Sequence, residues 1–182
     1  GLLDDELHTP VRLFRDLCRH LAENYKVLPL QDFVSALKRG RALPDRAVAI
    51  TFDDGYESNY RLAFPILREF SLPAAIFLCT GYVDGTVRPW FHRVALAVAR
   101  ERVRELGIRI GGNFFCFTLC SSATRGAALG ALLRTIKRLP QAEAADAVAR
   151  IEEALQPAPG GIPAPLRAIS WAHMSRHTSW ST

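Results

Sequence analysis

The chain has 182 residues, 49% of them hydrophobic and 23% charged, a balance that supports one domain with a real core and excludes a disordered segment. Its 23 Lys and Arg against 18 Asp and Glu leave a net charge of +5. The basic residues are nearly all Arg, scattered among acids and apolar side chains without the interleaved aromatics of a single-strand-binding surface, so solvated helix faces are expected rather than a nucleic-acid partner. No apolar run approaches the roughly 20 residues that cross a bilayer, and no transmembrane segment is expected. Gly1 rather than Met opens the chain; a preceding segment, with any targeting signal, is expected to lie outside it, and compartment stays open.

Residues 10–25 carry Val11, Phe14, Leu17, Cys18 and Leu21 at helical spacing, with Pro10 at a first-turn position. Lys26 to Leu30 reads as a short strand. Gln31 to Arg39 returns to helical spacing, and Gly40 can cap it. Ala47 to Phe52 is a continuous apolar, β-branched run, which predicts a strand buried on both faces, as in a parallel sheet. Tyr60 to Phe70 is amphipathic, with Pro65 either near a helix start or at a kink. Pro73 to Cys79 predicts a second buried strand. Strand, helix, strand in that order predicts a right-handed parallel crossover and an α/β fold.

The character changes from Asp84 onward. Trp90 to Arg104 reads as an Arg-rich helix. Ile108 to Leu119 alternates around Gly111-Gly112, which predicts a hairpin or exposed strand pair. Ala127 to Leu139 and Ala142 to Leu155 predict two helices parted by Pro140, and residues 157–165 form a Pro/Gly loop. The stretch 84–166 is expected as a helical insertion rather than a separate domain. Cys18, Cys79, Cys116 and Cys120 form no CxxC pair, and Cys79 and Cys116 read as small core hydrophobes.

Asp53-Asp54-Gly55 closes the strand at 47–52. The ends of parallel strands are where α/β folds place their chemistry. Adjacent carboxylates are costly unless a cation or proton offsets the repulsion. One carboxylate can then hold a divalent metal while the other, turned elsewhere, works as a base. A plain acidic turn is the competing reading. An EF-hand is excluded, because its alternating ligands and its glutamate at position twelve are missing. A metal-dependent phosphoesterase is disfavoured, because there is no phosphate-cradling glycine loop.

The wider string Ala47-Val48-Ala49-Ile50-Thr51-Phe52-Asp53-Asp54-Gly55-Tyr56 resembles the opening motif of the NodB-like polysaccharide deacetylases, carbohydrate esterase family four. Tyr25-Lys26-Val27 and Leu30 to Leu37 resemble the preceding strand and helix. Asn59-Tyr60, Ala63 to Leu67 and Leu72 to Leu78 resemble the segment that follows, and Pro89-Trp90-Phe91 with the insertion is similar to one subgroup. The resemblance implies an incomplete, distorted (β/α) barrel spanning 1–182 with the helical insertion. It implies Asp53 as general base, Asp54 as a metal ligand completed by a His-x-x-x-His pair, a divalent metal that is commonly zinc, and a carbohydrate substrate from which N-acetyl groups are hydrolysed.

Of five histidines, His8 and His20 precede the motif strand, and His92 is expected on a helix face in the insertion. His173 and His177 are four apart, a spacing that turns both rings to one side of a helix or tight turn. They are one candidate for the ligand pair, although Met174 stands where the family prefers Ser or Thr. In the other reading Ile169-Ser170-Trp171 marks the short helix before the ligand motif, and the pair lies beyond Thr182. The family's downstream Arg-x-Pro and Leu-x-His strings are not found. This chain alone is therefore expected to show little or no deacetylase activity, and a non-catalytic carbohydrate-binding remnant stands as the alternative.

Overall fold

The computed structural model describes residues 9–99, 103–156 and 162–175. These fall into two compact units, one built from 9–87 with the residues from 162 onward, the other from the intervening 88–161.

In the first unit, α1 (Val11–Asn24) leads to β1 (Lys26–Val27) and α2 (Leu30–Lys38). β1 is shorter than its sequence predicts because Pro29 already starts α2 as its N-cap. Gly40 ends α2 in the left-handed region (φ 62°). Its N–H donates to Leu37 O at 3.1 Å and that of Arg41 to Ala36 O at 2.9 Å, which satisfies carbonyls the helix would otherwise leave bare.

The run Ala47 to Phe52 is not the strand buried on both faces that its composition predicts. It breaks at Ala49 into β2 (Ala47–Val48) and β3 (Ile50–Phe52), none of its residues is buried, and Thr51 is exposed. The pairing explains the break. β2 runs parallel to β1 and β3 runs parallel to β4 (Ala74–Ile76), so each half has a different partner and ladders of two or three residues offer little face to cover. Between β3 and β4 the chain makes a π-helical turn (Asn59–Ala63) and then α3 (Phe64–Glu69), with Pro65 in the first turn of α3. The helical stretch runs unbroken from Glu57, and the π-helical turn lies immediately before Pro65, with the Phe64 N–H donating to Asn59 O in the i→i−5 register, a widened turn where a helix can take up a proline. The small core of this unit is Cys18, Ile66 and Leu67, with Phe14, Ile50, Phe52, Phe70, Leu72 and Ala74 packed around them. Arg15 of α1 pairs with Glu69 of α3. A short helix, α4 (Thr80–Val83), follows β4.

The second unit contains α5 (Trp90–Val98), the antiparallel hairpin β5 (Glu105–Ile110) and β6 (Asn113–Thr118), then α6 (Ser122–Ile136) and α7 (Gln141–Leu155). The hairpin turns at Gly111-Gly112, as the sequence predicts. Alternation sends Leu106, Ile108 and Ile110 of β5 inward onto Val94, Val98, Leu129, Leu132, Val148 and Ile151. On β6 the same alternation turns Phe115 and Phe117 toward that core and leaves Cys116 exposed, so the reading of Cys116 as a core hydrophobe is corrected. Cys79 is only partly buried; the cysteine that behaves as a core hydrophobe is Cys18. His92 lies on α5, as expected, and its side chain is buried. His8 and residues 157–161 lie outside the described residues.

α6 starts in a capping box. The Ser121 hydroxyl accepts from the Thr124 N–H at 3.1 Å, and the Thr124 hydroxyl accepts from the Ser121 N–H at 3.0 Å. Arg125, one residue further on, is buried, and its guanidinium donates to Val98 O at 2.6 Å and Val103 O at 2.7 Å. It thereby satisfies a carbonyl at the end of α5 and another at the entry to β5. Arg93 of α5 forms a two-point contact with Glu152 of α7, at 3.0 and 2.5 Å. Arg125→Met removes both donors and leaves the two carbonyls short of partners inside the fold. A destabilisation of about 1–3 kcal/mol is expected, read as a lower urea midpoint with an unchanged m-value; an unchanged midpoint would show that water replaces the guanidinium.

Candidate functional site

Asp53 and Asp54 follow β3 directly. Asp53 is exposed, Asp54 is half-buried and Gly55 is buried. Asp54 and Gly55 both adopt left-handed backbone, with φ of 65° and 73°. A left-handed aspartate is uncommon and mildly strained, so it is held by its surroundings. The turn is closed by a 2.8 Å bond from the Gly55 N–H to Asp53 O.

Two other segments fix this loop. On one side β4 continues past Ile76: the Phe77 N–H donates to Phe52 O at 2.8 Å and the Cys79 N–H to Asp54 O at 3.5 Å. From the other direction comes a segment more than a hundred residues further along the chain. The Glu57 N–H donates to Arg167 O and the Ile169 N–H to Gly55 O, both at 2.8 Å, and Tyr56 pairs with Ala168 in an isolated antiparallel bridge. Gly55 is favoured by its φ and by the close approach of Leu78. A Cβ there would lie 2.5 Å from Leu78 Cδ2 and 3.4 Å from Ile169 Cγ2.

The electrostatics follow from the crowding. Burial, reinforced by the neighbouring charge of Asp53, pushes the Asp54 carboxyl above the ordinary carboxylate value. Neither aspartate has a cationic partner among the described residues. Burial first, and then Asp54 and Tyr82, raise the Tyr56 phenol well above its normal range, so Tyr56 stays a neutral hydroxyl at physiological pH. The Tyr56 and Tyr82 rings meet edge to face at 6.2 Å. A bound cation at Asp54 would offset both the desolvation and the repulsion from Asp53, so this carboxylate fits a divalent metal.

His173 sits on the short helix α8 (Trp171–Ser175). The Ser170 Oγ lies 3.3 Å from the His173 N–H, which also donates to Ser170 O at 3.0 Å. The His173 ring stacks on Tyr60 at 4.6 Å, Tyr60 stacks on Phe64 at 6.0 Å, and the Arg68 guanidinium covers Phe64 at 5.8 Å. Tyr60, Phe64 and Arg68 are successive residues four apart on one helical face, which is why they form a column. His173 Nδ1 is buried and has no hydrogen-bond partner among the described residues. His177 lies outside the described residues. Among the described residues no three His, Cys, Asp or Glu side chains converge on one point, so His173 and Asp54 do not by themselves complete a ligand set.

Two features here were not visible in the sequence. One is the strand-like crossing of 167–169 over the motif loop. The other is a 2.7 Å hydrogen bond from the Trp171 indole N–H to Asp84 Oδ1, which ties the start of α8 to the end of α4. Neither has a short-range sequence signal, because each joins residues about 90 or more positions apart.

Comparison with known proteins adds the following. Residues 40–111 match the family described as polysaccharide deacetylase. A poly-β-1,6-N-acetyl-D-glucosamine N-deacetylase of Staphylococcus aureus (strain MSSA476) is 43% identical over 81 residues, which is 44% of this chain and 26% of that protein. The enzyme of the same name from Escherichia coli (strain K12) is 42% identical over 65 residues, 35% of this chain and 10% of that protein. The match thus spans only a quarter or less of these relatives' length. A solved deacetylase domain from Bordetella bronchiseptica aligns over 70% of this chain and 42% of that one, with 20% identity and a TM-score of 0.36.

Two measurements test this geometry. Gly55→Ala is expected to lower stability by about 1–3 kcal/mol, from the left-handed φ and the contact with Leu78, seen as a reduced thermal midpoint. Asp54→Asn is expected to stabilise the metal-free chain at neutral pH. The sign is fixed by the raised carboxyl: the protonated form suits the fold, so its contribution is fully present below the unfolded value and is lost as pH rises through the folded one. The advantage of Asn should therefore shrink as pH falls through the carboxylate range. A difference that is constant with pH would assign it to backbone conformation alone.

Proposed function

We propose that the protein carrying this chain, whose residues 40–111 match the polysaccharide deacetylase family, is a metal-dependent hydrolase that removes N-acetyl groups from an amino-sugar polymer. The observation that carries the reading is the Asp53-Asp54 pair, set at the end of β3 in a fixed left-handed turn with one carboxylate exposed and the other half-buried. The names of the matched relatives point to a β-1,6-linked N-acetylglucosamine polymer as the substrate class.

In this reading the two carboxylates divide the work. Asp54, half-buried and short of a counter-charge, holds a divalent metal, zinc being the first candidate, with His173 and His177 as the proposed companions. The metal supplies positive charge that stabilises the oxyanion developing on the acetamide carbonyl. Asp53, exposed to solvent, takes a proton from the attacking water. The new bond joins water oxygen to the carbonyl carbon, the carbon–nitrogen bond breaks, and the nitrogen takes up a proton, giving a free amino sugar and acetate. The fold in which this takes place is proposed to be a distorted (β/α) barrel, with about 84–166 inserted between its elements.

Zinc titration and acetate release test the reading together. In the protein that carries this chain, Asp53→Asn is expected to lower acetate release from a β-1,6-linked N-acetylglucosamine oligomer by about 10²–10⁴-fold while leaving zinc binding intact. Asp54→Ala is expected to weaken zinc binding to the chain, read by calorimetry, and a chelator should abolish turnover until zinc is restored. Zinc binding that is indifferent to Asp54 would point instead to a carbohydrate-binding remnant of the fold. Turnover that persists in Asp53→Asn would remove the assigned base.

A further inference from the structure

In an antiparallel pair the backbone groups of alternate residues point to the partner strand or away from it. The Leu119 N–H donates to Arg104 O at 2.6 Å, and the hairpin register sets Glu105 opposite Thr118 and Gly107 opposite Cys116. By that alternation the N–H and C=O groups of Leu106, Ile108 and Ile110 bond β6, while those of Glu105, Gly107 and Arg109 face outward. Among the described residues no strand takes up this outer edge of β5. The edge lies in the interior of the chain, between α5 and β6 of one compact unit. The same three residues face solvent with their side positions, because Leu106, Ile108 and Ile110 enter the core.

The charges on this edge complement themselves. Glu105 and Arg109 are exposed, stand two residues either side of Gly107, and take part in no ion pair among the described residues. Consider a second β5 laid antiparallel, with Gly107 on the twofold axis. Glu105 of each copy then stands opposite Arg109 of the other, and Leu106 opposite Ile108 on the core side. Every outward N–H and C=O of the three residues gains a partner. Parallel stacking in register would set like charges opposite each other, and a slip of two residues would leave a charge opposite the glycine, so the pattern selects one arrangement. The outer edge of β6 presents Phe114, Cys116 and Thr118 and no charge, so nothing there selects a partner or a register. We propose that the outer edge of β5 is a self-recognition surface, through which two copies of the chain join their hairpins into one four-stranded antiparallel sheet. The contact is isologous, so it closes at the dimer. The segment from Glu105 to Arg109 alone falls short of the roughly 20 residues a side that stable interfaces use, so the dimer is weak and forms as concentration rises.

Sedimentation equilibrium of the chain at low salt, from micromolar to millimolar concentration, reads the association. The wild type is expected to pass from monomer to dimer over that range, and added salt is expected to weaken the dimer, because exposed charge pairs are screened. Glu105→Arg and Arg109→Glu each set like charges opposite each other. Either is expected to weaken self-association about tenfold or more, with wild-type circular dichroism. An equimolar mixture of these two variants is expected to dimerise, since a strand with two cations then faces a strand with two anions. The double variant Glu105→Arg/Arg109→Glu restores the arrangement with its signs exchanged and is expected to dimerise like the wild type. A wild type that stays monomeric throughout, single variants that associate as it does, or a mixture that stays monomeric overturns the proposal.

Discussion

The hydrogen bond from the Ile169 N–H to Gly55 O is the constraint on which the candidate site depends. It brings a segment from the far end of the chain across the turn that carries Asp53 and Asp54. Residue 55 also packs closely on its other side, where a Cβ would collide with Leu78 while only touching Ile169. This crossing and the segment after β4 hold the turn in which Gly55 is buried and Asp54 half-buried.

The raised Asp54 carboxyl is the energetic signature of the site. A half-buried aspartate next to another aspartate, with no cationic partner among the described residues, works against folding at neutral pH. Natural folds keep such arrangements where a ligand repays them. The left-handed φ of Asp54 is a second local cost at the same residue. Two costs at one position, each held by packing from elsewhere, mark a site more sharply than the pair of carboxylates does. The nearby column of His173, Tyr60, Phe64 and Arg68 is the kind of rigid support that fixes an imidazole ring before any ligand arrives.

The two units differ in how much of them a sequence reader could recover. In the stretch 88–161 local pattern and tertiary core agree. The Gly111-Gly112 turn and the helix after Pro140 appear where the pattern puts them, whereas β5 starts at Glu105 rather than Ile108, α6 spans Ser122–Ile136 rather than Ala127 to Leu139, and α5 ends at Val98 rather than Arg104. Alternation misled only at Cys116, where an apolar neighbourhood in sequence lies on the outward face of β6. In the unit that carries the motif, the helices α1 and α2 were legible from spacing and Gly40. The strand at 47–52 was not, because its length and burial are set by which strand each half pairs with. Composition reports that such a run is suited to a sheet; it carries no information on where one partner ends and the next begins.

By itself the sequence determined the chemistry on offer: two adjacent carboxylates at a strand end, a glycine to turn the chain after them, and histidines four apart near residue 175. These are local facts, written in neighbouring residues, and they sufficed for the family resemblance. Tertiary structure alone decided that Asp53 is open to solvent while Asp54 is drawn inward, that His173 lies against Tyr60, and that Trp171 is held by Asp84 with its surface exposed. Each of these depends on contacts between residues far apart in the chain. A local pattern has no term for such contacts, because they form only when separate elements pack and exclude water together.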